Sequence, residues 1–285
     1  MDEMKGNSMA VFNSNDIYPV SADSELPFEQ HRDIFHLTGI DQEETILLLY
    51  PPSKDDKTRE ILFIRKSDNH TKVWEGEKLS KKQANELSGI DSIYFIDDFK
   101  DILSSIATKV DTFYINKNEH YRANSPVETR EDRFISWLLK KYPAHNVAKS
   151  NPILQRQRSI KHPDEIDQIK KACDITRKGF NRVLKFIKPN VWEYEIEAEF
   201  IHEFINSSSK GFAYSPIIAS GNDNNVLHYV KNNKQCKSGE LILMDVGAEY
   251  GNYSSDMTRT VPVSGKFSKR PVSYTHLRAH ETAYY

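Results

Sequence analysis

Apolar positions along the chain fall into short runs whose spacing changes near the middle. From Met9 to about Val147, β-branched and aromatic runs alternate with segments of helical period, the pattern of a mixed α/β domain. Strands are predicted at Met9–Phe12, Thr45–Tyr50, Ile61–Arg65, Ser92–Ile96 and Thr112–Ile115. Helices are predicted at Ser80–Leu87, Phe99–Ile106 and Glu128–Lys141, the last with Phe134, Trp137 and Leu138 at helical spacing. The sheet is expected to be at least partly parallel. Around Pro143–Pro163, proline, asparagine and basic residues replace the periodic apolar ones, and a domain boundary is placed near residue 150. Beyond it, Pro163 opens a helix with Asp164 and Glu165 in its first turn, where carboxylates meet the positive end of the helix dipole. Ile166, Ile169, Cys173, Phe180, Leu184 and Ile187 trace its apolar face until Pro189–Asn190 stops it. A second helix, Glu193–Asn206, is expected to bury Ile196, Phe200, Ile201 and Phe204. Strand-like runs follow at Ile217–Ala219, Glu240–Val246, Glu249–Tyr253 and Met257–Val263.

A length of 285 residues suits about two domains. Lys plus Arg is 39 and Asp plus Glu 41, a formal charge of −2 with no long run of one sign, so nucleic acid is not an expected partner. The two cysteines, Cys173 and Cys236, are far apart and lack metal-type spacing, which suits a reducing compartment; cytoplasm is the expected location. The longest apolar runs fall far short of the ~20 residues that span a bilayer, and Met1–Ala10 has no signal-peptide pattern.

The segment from Leu241 to Thr260 holds the most chemistry. A turn at Tyr250–Gly251 would set Asp245 opposite Asp256, with Cβ atoms roughly 4.5–5.5 Å apart. Asp245 ends an apolar run, and two desolvated carboxylates at that distance repel unless a cation lies between them. A divalent metal, or a pair about 3.5–4 Å apart, resolves the conflict. On spacing alone this reading stands level with another, in which one aspartate is a turn residue and the other faces solvent. A bulge from a Gly251–Asn252 turn would also break the simple pairing. His228 follows a Gly/Asn/Asp-rich loop and is either an acid/base group working near neutral pH or a capped or surface histidine. Tyr214 is either a core aromatic or a hydroxyl that orients a ligand. His276 and His280 are four apart, but no glutamate directly follows the first, so a zinc-protease helix is not indicated. Phosphate-binding loop, dinucleotide fingerprint and nucleophile elbow are all missing from the sequence.

At these residues the chain resembles aminopeptidase P, within the creatinase, prolidase and methionine aminopeptidase "pita-bread" group. The likeness runs from about Met9 to Arg270. It is carried by Asp16–Pro19, Pro27–Gly39 and Val73–Gly76 in the first half. In the second half Phe212–Gly221, Leu227–Tyr229, Asp245–Glu249 and Ser255–Thr260 carry it. The resemblance implies an α/β (α+β) fold, with a mixed-sheet, creatinase-like domain over residues 1–150 and an incomplete pita-bread catalytic domain over 151–270. Residues 271–285 lack the family pattern and are set apart as a foreign tail. The family's activity is removal of the N-terminal residue from peptides with proline in the second position, by a metal-activated water. Prolidase, or a non-catalytic pita-bread binding domain, is the rival reading. Asp245 and Asp256 match the first two of five ligands of a dinuclear site, usually manganese. His228 matches a histidine that contacts substrate, and Tyr214 matches a tyrosine that holds a ligand aspartate. Arg158 matches an arginine that reaches the active site. Trp74 matches a tryptophan that approaches a neighbouring subunit in tetrameric relatives, and a dimer or tetramer is expected of the full-length protein. The remaining ligands, a histidine and two glutamates, come from later strands in the family, so a truncated and inactive chain is expected. Pro189–Asn190 stands where relatives commonly have Pro-Gly, and asparagine also tolerates the left-handed backbone.

Overall fold

A computed structural model of the chain describes residues 1–119 and 126–267. It divides into two compact units between Ile160 and Lys161.

The first unit contains, in order, β1 (Ser8–Asn13), a small hairpin of β2 (Pro19–Ser21) and β3 (Ser24–Glu25), α1 (Arg32–Thr38), β4 (Ile46–Leu49) and α2 (Asp56–Arg59). Then come β5 (Glu60–Ile64), α3 (Asn69–Trp74), α4 (Lys81–Ser88), β6 (Ser92–Phe95) and α5 (Phe99–Ala107). β7 (Thr112–Ile115), α6 (Arg130–Lys141), β8 (Asn146–Lys149) and α7 (Asn151–Ser159) complete it. Each predicted strand and helix of this unit forms, with ends within two residues of those expected. Six strands make one sheet in the order β6-β5-β4-β1-β7-β8. β1–β7, β5–β6 and β7–β8 are parallel, whereas β4 runs antiparallel to β1 and β5, so the sheet is mixed. Its inner strands β1, β4, β5 and β7 are largely apolar runs because both faces are covered. On one face Met9, Val11, Phe63 and Phe113 meet Phe99, Leu103 and Ile106 of α5 and Leu138 of α6. On the other, Ala10, Phe12, Leu47 and Leu62 meet Ile34 of α1, Ala84 of α4 and Leu154 of α7.

Leu154 also moves the boundary. It is 4% exposed in the first unit's core, so residues 151–160 belong to that unit and the division falls ten residues later than the sequence places it. Neither β8 nor α7 was predicted. β8 is an exposed edge strand, and α7 buries one residue, so neither produces a periodic apolar signal.

The second unit opens with α8 (Pro163–Phe186) and α9 (Glu193–Asn206). β9 (Gly211–Phe212), β10 (Ile217–Ser220), β11 (Leu241–Val246), β12 (Ala248–Tyr250), β13 (Tyr253–Ser254) and β14 (Met257–Pro262) follow. The strands form two antiparallel sheets, β10-β11-β14 and β13-β12-β9. Helix α8 begins as expected: Pro163 is its first residue, and His162 with Glu165 makes a reciprocal cap. Its buried face differs from the predicted one. Ala172, Ile175, Thr176, Gly179, Phe180 and Val183 face inward, while Cys173 is exposed and Ile166 and Leu184 are 40% and 50% exposed. Small residues turn the stripe by about one position. A Cβ on Gly179 would stand 2.7 Å from the Phe204 ring of α9, a closeness that counting large apolar residues does not anticipate. In α9, Ile196, Phe200 and Phe204 are buried as expected, and Ile201 is half-buried.

Candidate active site

β11 alternates strictly, with Ile242, Met244 and Val246 completely buried in the core beneath the helices. Leu241, Leu243 and Asp245 therefore take the opposite face and are half-buried. Asp245 lies opposite Ile217 of β10 and Thr258 of β14, not opposite Asp256. The reason is the turn. Gly251 and Asn252, at φ +57° and +67°, form the two-residue loop, and Tyr250 pairs with Tyr253. Two successive left-handed residues match the twist of a hairpin better than Tyr250–Gly251 can, and the Gly-Asn pair was a readable signal for that turn. The register consequently slides by two. Because side chains alternate with period two, Asp256 stays on the Asp245 side of the ladder.

Tyr214, on the segment between β9 and β10, brings the two aspartates together. Its hydroxyl is 2.6 Å from Asp245 Oδ1 and 3.0 Å from Asp256 Oδ1, so one phenolic proton is shared between two carboxylate acceptors. Burial first, then the two aspartates, push the Tyr214 pKa far above its ordinary value, and the hydroxyl stays a donor across the working pH range. Gly247, at the junction of β11 and β12, makes the arrangement possible. A Cβ there would stand 1.9 Å from the Ser255 carbonyl oxygen and 3.1 Å from Tyr214 Cε1. The Gly247 carbonyl accepts from Ala213 N at 2.8 Å, which seats the tyrosine's segment. Ser255, next to Asp256, is anchored in turn: its Oγ is 2.7 Å from Thr176 Oγ1 on α8, and Ala248 N donates to both hydroxyls at 3.0 and 2.9 Å. Nothing in the sequence pattern pointed to the Thr176–Ser255 pair, because both are small polar residues whose burial is decided by packing.

His228 lies in the loop after β10 and is exposed, but its neighbour Tyr229 is buried with Ile217, Ala219 and Leu243 on the Asp245 side of the sheet. Arg158 belongs to the first unit, on α7. Its Nη1 donates to Asp33 Oδ1 at 2.6 Å, and Asn116 Nδ2 donates to Asp33 Oδ2 at 2.9 Å. Asp33 is the partner that sequence reading overlooked. Trp74, at the end of α3, is 74% exposed, with its ring 6.0 Å from that of His70.

Two protein families match the chain. The aminopeptidase P N-terminal domain covers residues 1–114, and metallopeptidase family M24 covers residues 167–284. These two matches, with the relatives that follow, place the chain's likeness with the aminopeptidase P metallopeptidases. Its relatives include the Xaa-Pro aminopeptidase of Escherichia coli, 30% identical over 94% of this chain and 61% of that protein. Human Xaa-Pro aminopeptidase 3 is 30% identical over 90% of this chain and 50% of its own length. Among solved structures, zinc-substituted aminopeptidase P of E. coli in complex with product superposes with a TM-score of 0.82 at 29% identity, over 94% of this chain and 61% of that one. Aminopeptidase PepP of Pseudomonas aeruginosa gives 0.83 at 28% identity, over 94% and 60%. The chain thus spans half to three fifths of these relatives, and the creatinase-like and pita-bread folds expected of the family are the ones found. The M24 match runs into positions 271–285, which lie outside the described residues.

Whether the residues present suit a metal can be judged from their donors. Asp245 and Asp256 offer carboxylate oxygens, suited to a hard divalent ion, and among the described residues no lysine or arginine pairs with either. They fit part of a ligand set. Among the described residues no group of three or more His, Cys, Asp or Glu side chains is placed to hold a metal. Asp256 is exposed and Asp245 only half-buried, so the mutual repulsion expected of two desolvated carboxylates is softened by water.

Proposed function

We propose that this chain carries part of the active site of a Xaa-Pro aminopeptidase, which releases the N-terminal residue from peptides with proline second. The observation that supports it is one tyrosine hydroxyl holding two aspartates that lack any cationic partner among the described residues. In this reading Asp245 and Asp256 would supply two of the ligands for a pair of divalent ions, manganese being a suitable hard ion. Such ions supply activation of water and polarisation of the scissile carbonyl. Tyr214 fixes the carboxylate orientation through its shared proton, as partners of ligating groups do. His228 donates to the substrate oxygen on which charge develops. Arg158, oriented by Asp33, contacts the peptide. The chain by itself is proposed to be inactive, because two aspartates cannot hold two ions in catalytic geometry. The complete protein is proposed to act on proline-containing peptides in the cytoplasm as a dimer or tetramer.

The test compares Arg-Pro-Pro cleavage with added Mn2+ by the 285-residue chain and by a chimera completed with the C-terminal part of the E. coli relative. The chain is expected to show no turnover. The chimera is expected to bind Mn2+ calorimetrically and to cleave, and to lose both properties on Asp245→Ala or Asp256→Ala. A folded chimera that binds no Mn2+ would refute the peptidase reading, and turnover by the chain alone would refute its proposed inactivity.

A further inference from the structure

Glu193 opens α9, and its side chain is completely buried. Both carboxylate oxygens are fully used. Oε1 accepts from the backbone N and the Oγ of Ser220, each at 2.7 Å. Oε2 accepts from Tyr229 Oη at 2.7 Å and from Lys234 N at 2.9 Å. The backbone N of Glu193 itself donates to Lys234 O at 2.9 Å. Ser220 is the last residue of β10, and Lys234 closes the loop that follows. A single carboxylate therefore ties down both ends of residues 221–233 and, through Tyr229, the middle. Asn232, 2% exposed, adds a second clasp: its Oδ1 accepts from Ile218 N at 3.0 Å and its Nδ2 donates to Pro216 O at 3.0 Å.

Nearer its start, Asn224 ties the loop to β11, donating to Leu241 O at 3.1 Å and accepting from Leu243 N at 3.2 Å, while the crest beyond it is apolar and open. Val226, Leu227 and Val230 are 51%, 86% and 54% exposed, and His228 sits among them. A segment that buries so little apolar surface takes its order from its polar anchors. Among the described residues no lysine or arginine pairs with Glu193, so its charge is tolerated in the interior through these hydrogen bonds alone. The contacts that solvate the carboxylate are thus also the ones that hold Tyr229 and the two loop ends, beside the Asn232 clasp.

We propose that Glu193 is the positioning residue for His228, acting through Tyr229 and the two loop ends to hold the histidine on the Asp245 side of the sheet. The inference rests on the peptidase reading for the role of His228, but the coupling itself does not need metal or substrate. Glu193→Gln would keep an acceptor for Ser220 while setting an amide NH2 against the Lys234 N–H, donor facing donor. Tyr229→Phe would remove one bond and keep the ring.

The test uses the 285-residue chain, with backbone amide exchange and the imidazole Cε1–Hε1 signal of His228 read by NMR. In Glu193→Gln, exchange across residues 221–234 is expected to accelerate by about tenfold or more, the consequence of losing a hydrogen bond to a buried charge. The β11 amides other than Leu243, which donates to Asn224 of the loop, should not change, and the His228 signal should move to that of an unstructured histidine. Tyr229→Phe should shift the His228 signal the same way by less. A folded Glu193→Gln protein with unchanged loop exchange and an unchanged His228 signal overturns the proposal, as does equal acceleration in β11. If Glu193→Gln does not fold, Tyr229→Phe decides by the same criteria. A folded chimera that binds no Mn2+ while this coupling persists in the chain would remove the peptidase reading and leave the loop clasp standing.

Discussion

Replacing Gly247 with alanine tests whether the β11–β12 junction is what seats the two aspartates. A Cβ at this position would stand 1.9 Å from Ser255 O, 2.7 Å from Ser255 C and 3.1 Å from Tyr214 Cε1. Two of these obstacles are backbone atoms, which have no rotamer to escape into, so the strands must part by more than about 1 Å to restore ordinary contact. Parting them stretches the 3.0 Å bond from Ser255 N to Ala248 O and loosens the Ser255–Thr176 hydroxyl pair. Overpacking costs roughly 1–3 kcal/mol, and two weakened buried hydrogen bonds add about 1 kcal/mol each, for a total of about 3–5 kcal/mol. For a unit of this size that corresponds to a fall of at least about 10 °C in Tm. The assay is denaturant unfolding of the chain followed through amide exchange in β11 and β14, so that the second unit is read directly. A Gly247→Ala protein within about 0.5 kcal/mol of the parent, the scatter of ordinary surface changes, would refute the claim that this close approach is a constraint.

Three further outcomes follow from the same geometry. Tyr214→Phe removes the proton shared by Asp245 and Asp256; calorimetry on the metal-binding chimera should show Mn2+ affinity reduced by about ten- to a hundredfold, and unchanged affinity would contradict its orienting role. Glu131 is raised above the usual 4.5, chiefly by burial, although Asn13 Nδ2 and Asn116 N donate to it. The folded protein therefore binds its proton more tightly than the unfolded chain, and stability is lost as pH rises from 4.5 through the raised value, so Glu131→Gln should gain on the parent over that interval in urea titrations. Glu43 behaves oppositely: burial raises it, but hydrogen bonds from Lys78 and Arg65 outweigh that and hold it below 4.5. Its contribution is present above 4.5 and lost as pH falls, so Glu43→Gln should cost about 2 kcal/mol at pH 7 and nothing in strong acid, with a pH-independent cost counting against the ion pairs.

Much of the fold was legible because it is written in local periodicity. The apolar runs of β1, β4 and β5 and the helical-period segments between strands pointed to a mixed α/β domain with a partly parallel sheet, and Pro163 with its acidic first turn marked the start of α8. β8 and α7 escaped notice because an edge strand and a helix with one buried residue have almost no amphipathic contrast. The site was partly legible too. Asp245 and Asp256 were singled out as a pair, but for a register that the Gly251–Asn252 turn does not allow.

The amino-acid order by itself determined the main strands and long helices and which carboxylates, histidine and tyrosine were available, since propensity, capping and periodicity act over a few neighbouring residues. Tertiary structure alone decided that one tyrosine hydroxyl would meet both aspartates, that Gly247 and Ser255 would touch, and that Glu193 would bind a loop 27 to 41 positions away. Those relations join residues distant in the chain. Their geometry depends on strand register and on the closeness with which α8 and α9 pack, quantities that no local pattern encodes because they are settled only when the core closes.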